Sequence, residues 1–382
     1  MATRTIQRMK HRQDRDELSG VQAALRAILE PFGPEYWQRV ERDGAFPTEA
    51  YDKLGEAGWY GTLIPEQHGG SDAGPAVASL VVEEINRRGG DATAFNAQMA
   101  ICGTLVRDGN DEQRKRYLPG VATGEVRFMS VAATEPDSGA DMSSLESTAK
   151  KDGDDWILDA KKVMISLAEH TRLMIVLAKT DAGATLFLLD MDEVGDQIEI
   201  RPIEMITHRM TTMVFIDGLR VPSSRLLGEP GKGLSALMKG FAPRRVMAAA
   251  ECIGNARFML DHSLIHAKER RTFNRFIGQN QGVQYPLAQA YAKVEAADLM
   301  RWDALRAIDE DEEANARSAL AKLLASEACW ETARAALTTF GGWGLAEEYH
   351  VERKLRESTV FVFNNLLWSL VAQRVLGLPK AY

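Results

Sequence analysis

The spacing of hydrophobic residues changes twice along the chain. From residue 16 to 126 apolar positions recur three or four residues apart, as at Val21, Leu25 and Leu29, and again at Leu80 and Ile85. This spacing places them on one face of a helix. The first third of the chain is therefore predicted to be helical.

Between residues 128 and 227 the period shortens towards two, which is typical of strands. Asp152-Gly153-Asp154 has the composition of a hairpin turn and is followed by the alternating residues Trp156, Leu158 and Ala160. Short β-like segments follow at Leu173–Ala178, Thr185–Leu189 and Met213–Ile216. From Gly233 onward helical spacing returns and no further strand is predicted.

These changes predict a multidomain α+β protein with a helical, β, helical order. We place an N-terminal helical domain at residues 1–127, a middle β-domain at 128–230 and a C-terminal helical bundle at 231–382.

The composition of the chain narrows the range of functions and partners that it can have. The net charge of -8 over 382 residues argues against a nucleic-acid partner. No stretch of about 18 uncharged apolar residues exists to span a membrane. Cys102, Cys252 and Cys329 lack metal-binding spacing and fit buried, reduced thiols of a cytoplasmic protein. The basic segment at residues 4–15 is predicted to be a solvated helix start or a frayed tail, the alternative being a transit peptide.

Several segments have residue types suited to binding a cofactor. Ala133 and Thr134 open a polar, glycine-containing loop that exposes backbone N–H groups. Ser166 ends a strand that follows the predicted hairpin. Downstream, Arg270 offers a rigid donor fork for pyrophosphate, and Phe273 and Gln281 offer an aromatic ring and an amide for an adenine.

The C-terminal segment from Gly341 to Asn365 begins with glycines that allow close backbone approach and continues as a predicted helix from Val351 to Phe363. Together with the segments above, it resembles the acyl-CoA dehydrogenase family of flavoproteins. The resemblance extends from the first helices to Leu376. It implies FAD as cofactor, an acyl-CoA substrate and a C-terminal four-helix bundle. It also implies an electron-transfer partner, and a homotetramer or a dimer with shared flavin sites.

The resemblance assigns roles residue by residue. Arg245 matches an Arg that grips the substrate's pantetheine. Ala140 replaces a Ser that helps to hold the pyrophosphate. Eight positions match cofactor contacts, namely Ala133, Thr134, Ser166, Arg270, Phe273, Gln281, Gly341 and Gly342.

The two positions at which members of this family carry a catalytic Glu hold other residues here. Counting from Gly342, the main base position is Asn365, and the second is Arg244. Neither an amide nor a guanidinium accepts a proton usefully, and losing general-base help costs roughly 10²–10⁴-fold in rate.

Three interpretations follow. In the first, the chain is an FAD-dependent oxidoreductase that desaturates an acyl-CoA with a relocated base such as Asp91, whose alternative role is to cap a helix. In the second, it catalyses a base-free elimination at Cβ. In the third, it is a non-catalytic or acyl-CoA-binding subunit of a hetero-oligomer whose other chain supplies the Glu.

Overall fold

The computed structural model describes residues 15–139, 141, 144–208, 210–310 and 314–379. The basic tail before residue 15 and the position of Ala140 lie outside these ranges. The helices in chain order are α1 (Arg15–Leu29), α2 (Pro34–Arg42), α3 (Thr48–Glu56), α4 (Gly74–Arg87), α5 (Thr93–Asp108), α6 (Asp111–Thr123), α7 (Met191–Val194), α8 (Gly233–Lys239), α9 (Phe241–Glu269), α10 (Gln281–Asp309), α11 (Ala314–Phe340), α12 (Val351–Thr359) and α13 (Asn365–Leu370).

The strands are β1 (Ser130–Ala132), β2 (Thr148–Asp152), β3 (Asp155–Ser166), β4 (Leu173–Thr180), β5 (Gly183–Asp190), β6 (Ile198–Pro202), β7 (Thr211–Pro222), β8 (Leu226–Leu227), β9 (Arg271–Thr272) and β10 (Arg275–Phe276). The described residues divide into two units. Unit 1 holds Tyr51–Asp72 and Thr93–Phe241, and unit 2 holds residues 15–50, Ala73–Ala92 and 242–379. The N-terminal helical region predicted from periodicity thus contributes to both.

Unit 1 is built on a sheet with strand order β6-β7-β3-β2-β4-β5-β8, and β1 pairs with β4 in parallel. The predicted hairpin is confirmed, because β2 and β3 pair antiparallel around Gly153, whose φ is 61°. Strand β4 is buried on both faces. Leu173 and Ile175 face the apolar residues of α5 and α6, and Met174 and Val176 face those of β3 and β7.

Unit 2 is dominated by α9, α10 and α11, which pack with α4 and α12 around a core rich in alanine. Small side chains let the helices approach closely, and a Cβ at Gly254 of α9 would lie 2.4 Å from the Glu83 carbonyl oxygen of α4. A buried charge network also joins these helices. Arg257 pairs with Glu295 and Asp298 at 3.0 Å, and Arg301 pairs with Glu83 and Asp298 at 2.7 Å.

Two local expectations were wrong. Strands do not end at Gly233, because β9 and β10 form a hairpin within the C-terminal region. The helix predicted from Val351 to Phe363 ends at Thr359 and is followed by a 3-10 turn. Periodicity cannot register these features, since each depends on which neighbour packs against the segment.

The three cysteines are free and buried, and burial raises the pKa of Cys102 to about 12. None of the described helices has the length and hydropathy needed to cross a bilayer.

Candidate functional site

In unit 2 a cleft of about 600 Å³ brings together three of the residues singled out from the sequence. Arg270, Gly341 and Gly342 all line it. Gly341 has a φ of 61°, and a Cβ at either glycine would meet no atom within 4 Å, so the backbone faces open space. Among the described residues no acceptor bonds the Arg270 guanidinium, which leaves its donors available.

His266 lies in the wall of the same cleft and was missed by the sequence reasoning. Its ring stacks on Phe340 with centroids 4.1 Å apart and an interplanar angle of 15°. Burial, and then the charge of Arg270, lower the pKa of His266, which favours the neutral ring. Its position one helical turn before Arg270 was the available signal, since residues four apart share a helix face.

The hairpin that follows Arg270 displays an aromatic ring to solvent. β9 and β10 are joined by Phe273 and Asn274, with φ angles of 50° and 62°, as in a two-residue type I′ turn. Asn tolerates this left-handed backbone, whereas Phe adopts it at a cost. Phe273 is 97% exposed. Neither Phe273 nor Gln281, the exposed first residue of α10, lines the cleft.

The base position is the first residue of α13. Asn365 is exposed, and its side chain makes no hydrogen bond within the described part of the chain. The preceding Asn364 is buried and structural, because its Nδ2 donates to the Phe361 carbonyl at 3.1 Å. Lys322 holds the same turn, donating to the Phe361 carbonyl at 3.0 Å and to Asn364 Oδ1 at 3.4 Å. The hydrogen bonds of Asn364 and Lys322 therefore hold the turn that precedes the exposed amide of Asn365.

The start of α9 carries the two arginines noted in the sequence. Arg245 Nη1 lies 3.3 Å from Asn315 Oδ1, and burial lowers the pKa of Arg245. Arg244 lies in the first turn of α9 and is exposed.

Asp91 follows two glycines whose carbonyls are bonded by buried cations. Arg353 donates to Gly89 at 2.6 Å, and Lys354 donates to Gly90. Both cations pair with Glu357, at 2.8 and 2.7 Å. Burial lowers the pKa of Lys354, whereas the charges of Glu357 and, more weakly, Asp91 raise it. Asp91 therefore lies near a buried ammonium, just before α5 begins.

In unit 1 the loop after β1 lies against the end of β3. The Thr134 carbonyl accepts from Val163 N at 3.0 Å, and Ser130 Oγ donates to the Ser166 carbonyl at 2.7 Å. This places Ala133 and Thr134 near Ser166, and neither hydroxyl of the Thr134–Ser166 pair bonds another described residue. Met164, two residues before Ser166 in β3, lies at a β-bulge with a φ of 57° and is 53% exposed.

A buried ion pair anchors this loop. Lys162 Nζ lies 2.6 Å from Glu135 Oε1 and donates to the Ala133 carbonyl at 3.3 Å. Glu135 also accepts from the backbone N–H groups of Glu146 and Ser147, at 2.6 and 3.1 Å. Burial alone would raise the pKa of Glu135, but these bonds outweigh it and hold the pKa below its ordinary value.

Comparison with known proteins agrees with this architecture along the whole chain. The acyl-CoA dehydrogenase N-terminal, middle and C-terminal domain families match residues 15–125, 130–217 and 231–364. Acyl-CoA dehydrogenase FadE12 of Mycobacterium tuberculosis is 31% identical over 96% of this chain and 98% of the relative. The caffeyl-CoA reductase-Etf complex subunit CarC of Acetobacterium woodii is 32% identical over 86% of this chain and 88% of the relative.

Solved structures agree. Glutaryl-coenzyme A dehydrogenase in complex with glutaryl-CoA superposes with a TM-score of 0.89 at 30% identity, covering 96% of both chains. These neighbours and the matched family are FAD-dependent flavoproteins. The chain therefore belongs to the acyl-CoA dehydrogenase family of FAD-dependent oxidoreductases.

Proposed function

We propose that this chain oxidises or reduces the α,β bond of an acyl-CoA thioester with a base that stands outside the family's two usual positions. The observation that carries this proposal is the contrast between the retained cofactor-binding groups and the amide of Asn365 at the base position. Among the described residues, the hydroxyls of Thr134 and Ser166 and the guanidinium of Arg270 have no hydrogen-bond partner, which leaves them available to a ligand.

The residues present fit FAD. The open glycine backbone at Gly341 and Gly342 and the unpaired fork of Arg270 suit pyrophosphate oxygens. The free hydroxyls of Thr134 and Ser166 suit the polar edge of a flavin ring. The exposed Phe273 suits a contact with the cofactor of a second copy, which supports a homotetramer or a dimer with shared sites.

Substrate binding and proton removal are assigned to side chains of this protein. Arg245 would hold the pantetheine, and Asp91 would take the proton from Cα. FAD, when bound, supplies the acceptor for the hydride from Cβ. Loss of the proton from Cα and of the hydride from Cβ leaves the enoyl thioester, with the proton held on the Asp91 carboxylate. An electron-transfer partner is supported by the relative that is named as part of an Etf complex.

The purified chain tests the proposal directly. We expect visible flavin absorbance and its bleaching when saturated acyl-CoAs are added without oxygen. A colourless protein that does not take up added FAD would refute the proposal.

The free thiols support a cytoplasmic setting, which fractionation of the source cells would check.

The absence of a carboxylate at Asn365 and Arg244 also favours a second candidate, in which the chain binds acyl-CoA but a partner chain supplies the base. This candidate predicts that the chain binds acyl-CoA without bleaching of the flavin absorbance until a second subunit is added.

A base-free elimination at Cβ predicts instead an enoyl product only from acyl groups that carry a leaving group.

A further inference from the structure

The cleft in unit 2 contains a titratable ring beside its permanent cation. His266 and Arg270 both line this cleft, together with the backbone of Gly341 and Gly342. The Arg270 N–H donates to the His266 carbonyl at 2.8 Å, so a complete helical turn separates the two residues. Side chains four residues apart lie on the same helix face. A proton on His266 would therefore place a second positive charge in the cleft that holds Arg270.

Aromatic contacts fix the orientation of the His266 ring. The ring stacks on Phe340 with centroids 4.1 Å apart, and Tyr349 meets it edge-on with centroids 6.0 Å apart. A phenyl face attracts a cation, so the same stacking also suits the protonated form of the ring. Neither ring nitrogen hydrogen-bonds a residue in the described part of the chain. The ring is thus held in place while its nitrogens stay available to a ligand.

The surroundings of His266 set its protonation state before a ligand binds. Burial is the largest influence and lowers the pKa of the ring, and the charge of Arg270 lowers it further. Glu269 raises the pKa, but more weakly. The other elements packed against the ring, α11 and the turn before α12, contribute the aromatic rings of Phe340 and Tyr349. The imidazole is therefore neutral at neutral pH in the empty cleft.

We propose that His266 takes up a proton when the pyrophosphate of FAD enters this cleft, so that retention of the cofactor depends on pH. The proton comes from solvent, and the imidazolium N–H then donates to a phosphate oxygen. The negative charge of the pyrophosphate favours the charged ring and offsets the repulsion from Arg270. No bond of FAD is formed or broken. The inference rests on the proposed function, because it requires FAD in the cleft.

The direction of the pH dependence follows from this proton uptake. A ligand that raises the pKa of a group binds more tightly at the pH values at which the group gains the proton. The pyrophosphate of FAD is a diester that does not titrate near neutral pH, so the proton is held by the protein. We expect the affinity for FAD to rise about 3–10-fold as the pH falls from about 8 to about 6, since one pKa unit corresponds to a factor of about ten.

Calorimetry of FAD binding to the full chain freed of cofactor measures the proton directly. The heat of binding is compared in two buffers of different ionisation heat at the same pH, and the difference gives the number of protons taken up. We expect an uptake of a fraction of one proton for each FAD bound. His266→Gln retains a polar side chain without a titrating group. It should bind FAD without this uptake and with a Kd that does not change with pH.

Two further variants assign the uptake to one side chain. His266→Phe preserves an aromatic ring against Phe340 but cannot be protonated, so it should also lose the uptake. His262→Gln replaces the histidine one turn earlier in α9, whose Nδ1 lies 2.9 Å from the Phe258 carbonyl and which lies outside the lining of the cleft. This control should retain the uptake. Circular dichroism of each variant reports whether it is folded.

The outcomes separate the two proposals. Binding of FAD by the wild type without proton uptake, or an uptake that persists in both His266→Gln and His266→Phe, would overturn the role of His266 and leave the proposed function standing. Failure of the wild-type chain to bind FAD would overturn both.

Discussion

The ammonium of Lys162 lies 2.6 Å from a carboxylate oxygen of Glu135, and both side chains are almost fully shielded from solvent. The pair joins the loop after β1 to β3. It therefore fixes the position of the backbone at Thr134. The same ion pair that contributes to the stability of the β-domain thus also sets the position of the proposed flavin contact.

Removing one partner of this pair should be costly. Lys162→Met leaves the carboxylate of Glu135 buried without its counter-charge, and we expect a loss of roughly 3–5 kcal/mol in the free energy of unfolding. Urea denaturation measures the change. Lys161→Met removes a charge from the exposed neighbour and is the matched control. Equal stability of the two variants would show that Glu135 does not depend on Lys162.

The same carboxylate predicts an acid dependence with a definite sign. Because the pKa of Glu135 is held below its ordinary value of 4.5, its ionised form stabilises the fold above that value. This stability is lost as pH falls through the lowered pKa. The difference in unfolding free energy between wild type and Glu135→Gln should therefore shrink as pH falls below 4.5. A difference that grows on acidification would contradict the assignment.

Arg270 should contribute to cofactor retention. Arg270→Gln removes the charged fork from the cleft beside Gly341 and should weaken FAD binding by about 10–100-fold, as expected for loss of a charge-assisted hydrogen bond. Titration of the apoprotein with FAD measures the affinity. Lys268→Gln, two residues earlier and exposed, should bind FAD as the wild type does. If both variants lose FAD equally, the effect is general charge and not the fork.

The relocated base can be tested by loss and recovery. Asp91→Asn should slow flavin reduction by an acyl-CoA by roughly 10²–10⁴-fold if Asp91 removes the α-proton. Adding Asn365→Glu to that variant should restore part of the rate, because it returns a carboxylate to the family's base position. Stopped-flow absorbance measures both rates. Since Asp91 also lies near Lys354, recovery separates a chemical role from a structural one, and an unchanged rate in Asp91→Asn would eliminate Asp91.

A buried amide in α9 predicts a gain in stability. Asn255 is completely buried, and neither its Oδ1 nor its Nδ2 bonds any described residue. Asn255→Ala removes two desolvated polar atoms and improves helix propensity, so we expect a stabilisation of about 1 kcal/mol. Thermal and urea unfolding would detect it. A loss of stability would indicate that a bound water or ligand satisfies the amide.

Periodicity alone located most of the elements of the fold. The Asp152-Gly153-Asp154 turn, the strands at Leu173 and Thr185 and the long C-terminal helices were predictable because each is recorded locally, in turn residues or in a repeat of two or three to four positions. Residue identity likewise determined that Asn365 and Arg244 are not bases, whatever surrounds them.

Tertiary structure determined the contacts that the spacing of residues along the sequence does not encode. The pairing of Lys162 with Glu135, the stacking of His266 on Phe340 and the cleft shared by Arg270 and Gly341 join residues between 27 and 74 positions apart. Burial and partnership are properties of the assembled three-dimensional neighbourhood, and a local pattern of side chains does not contain them.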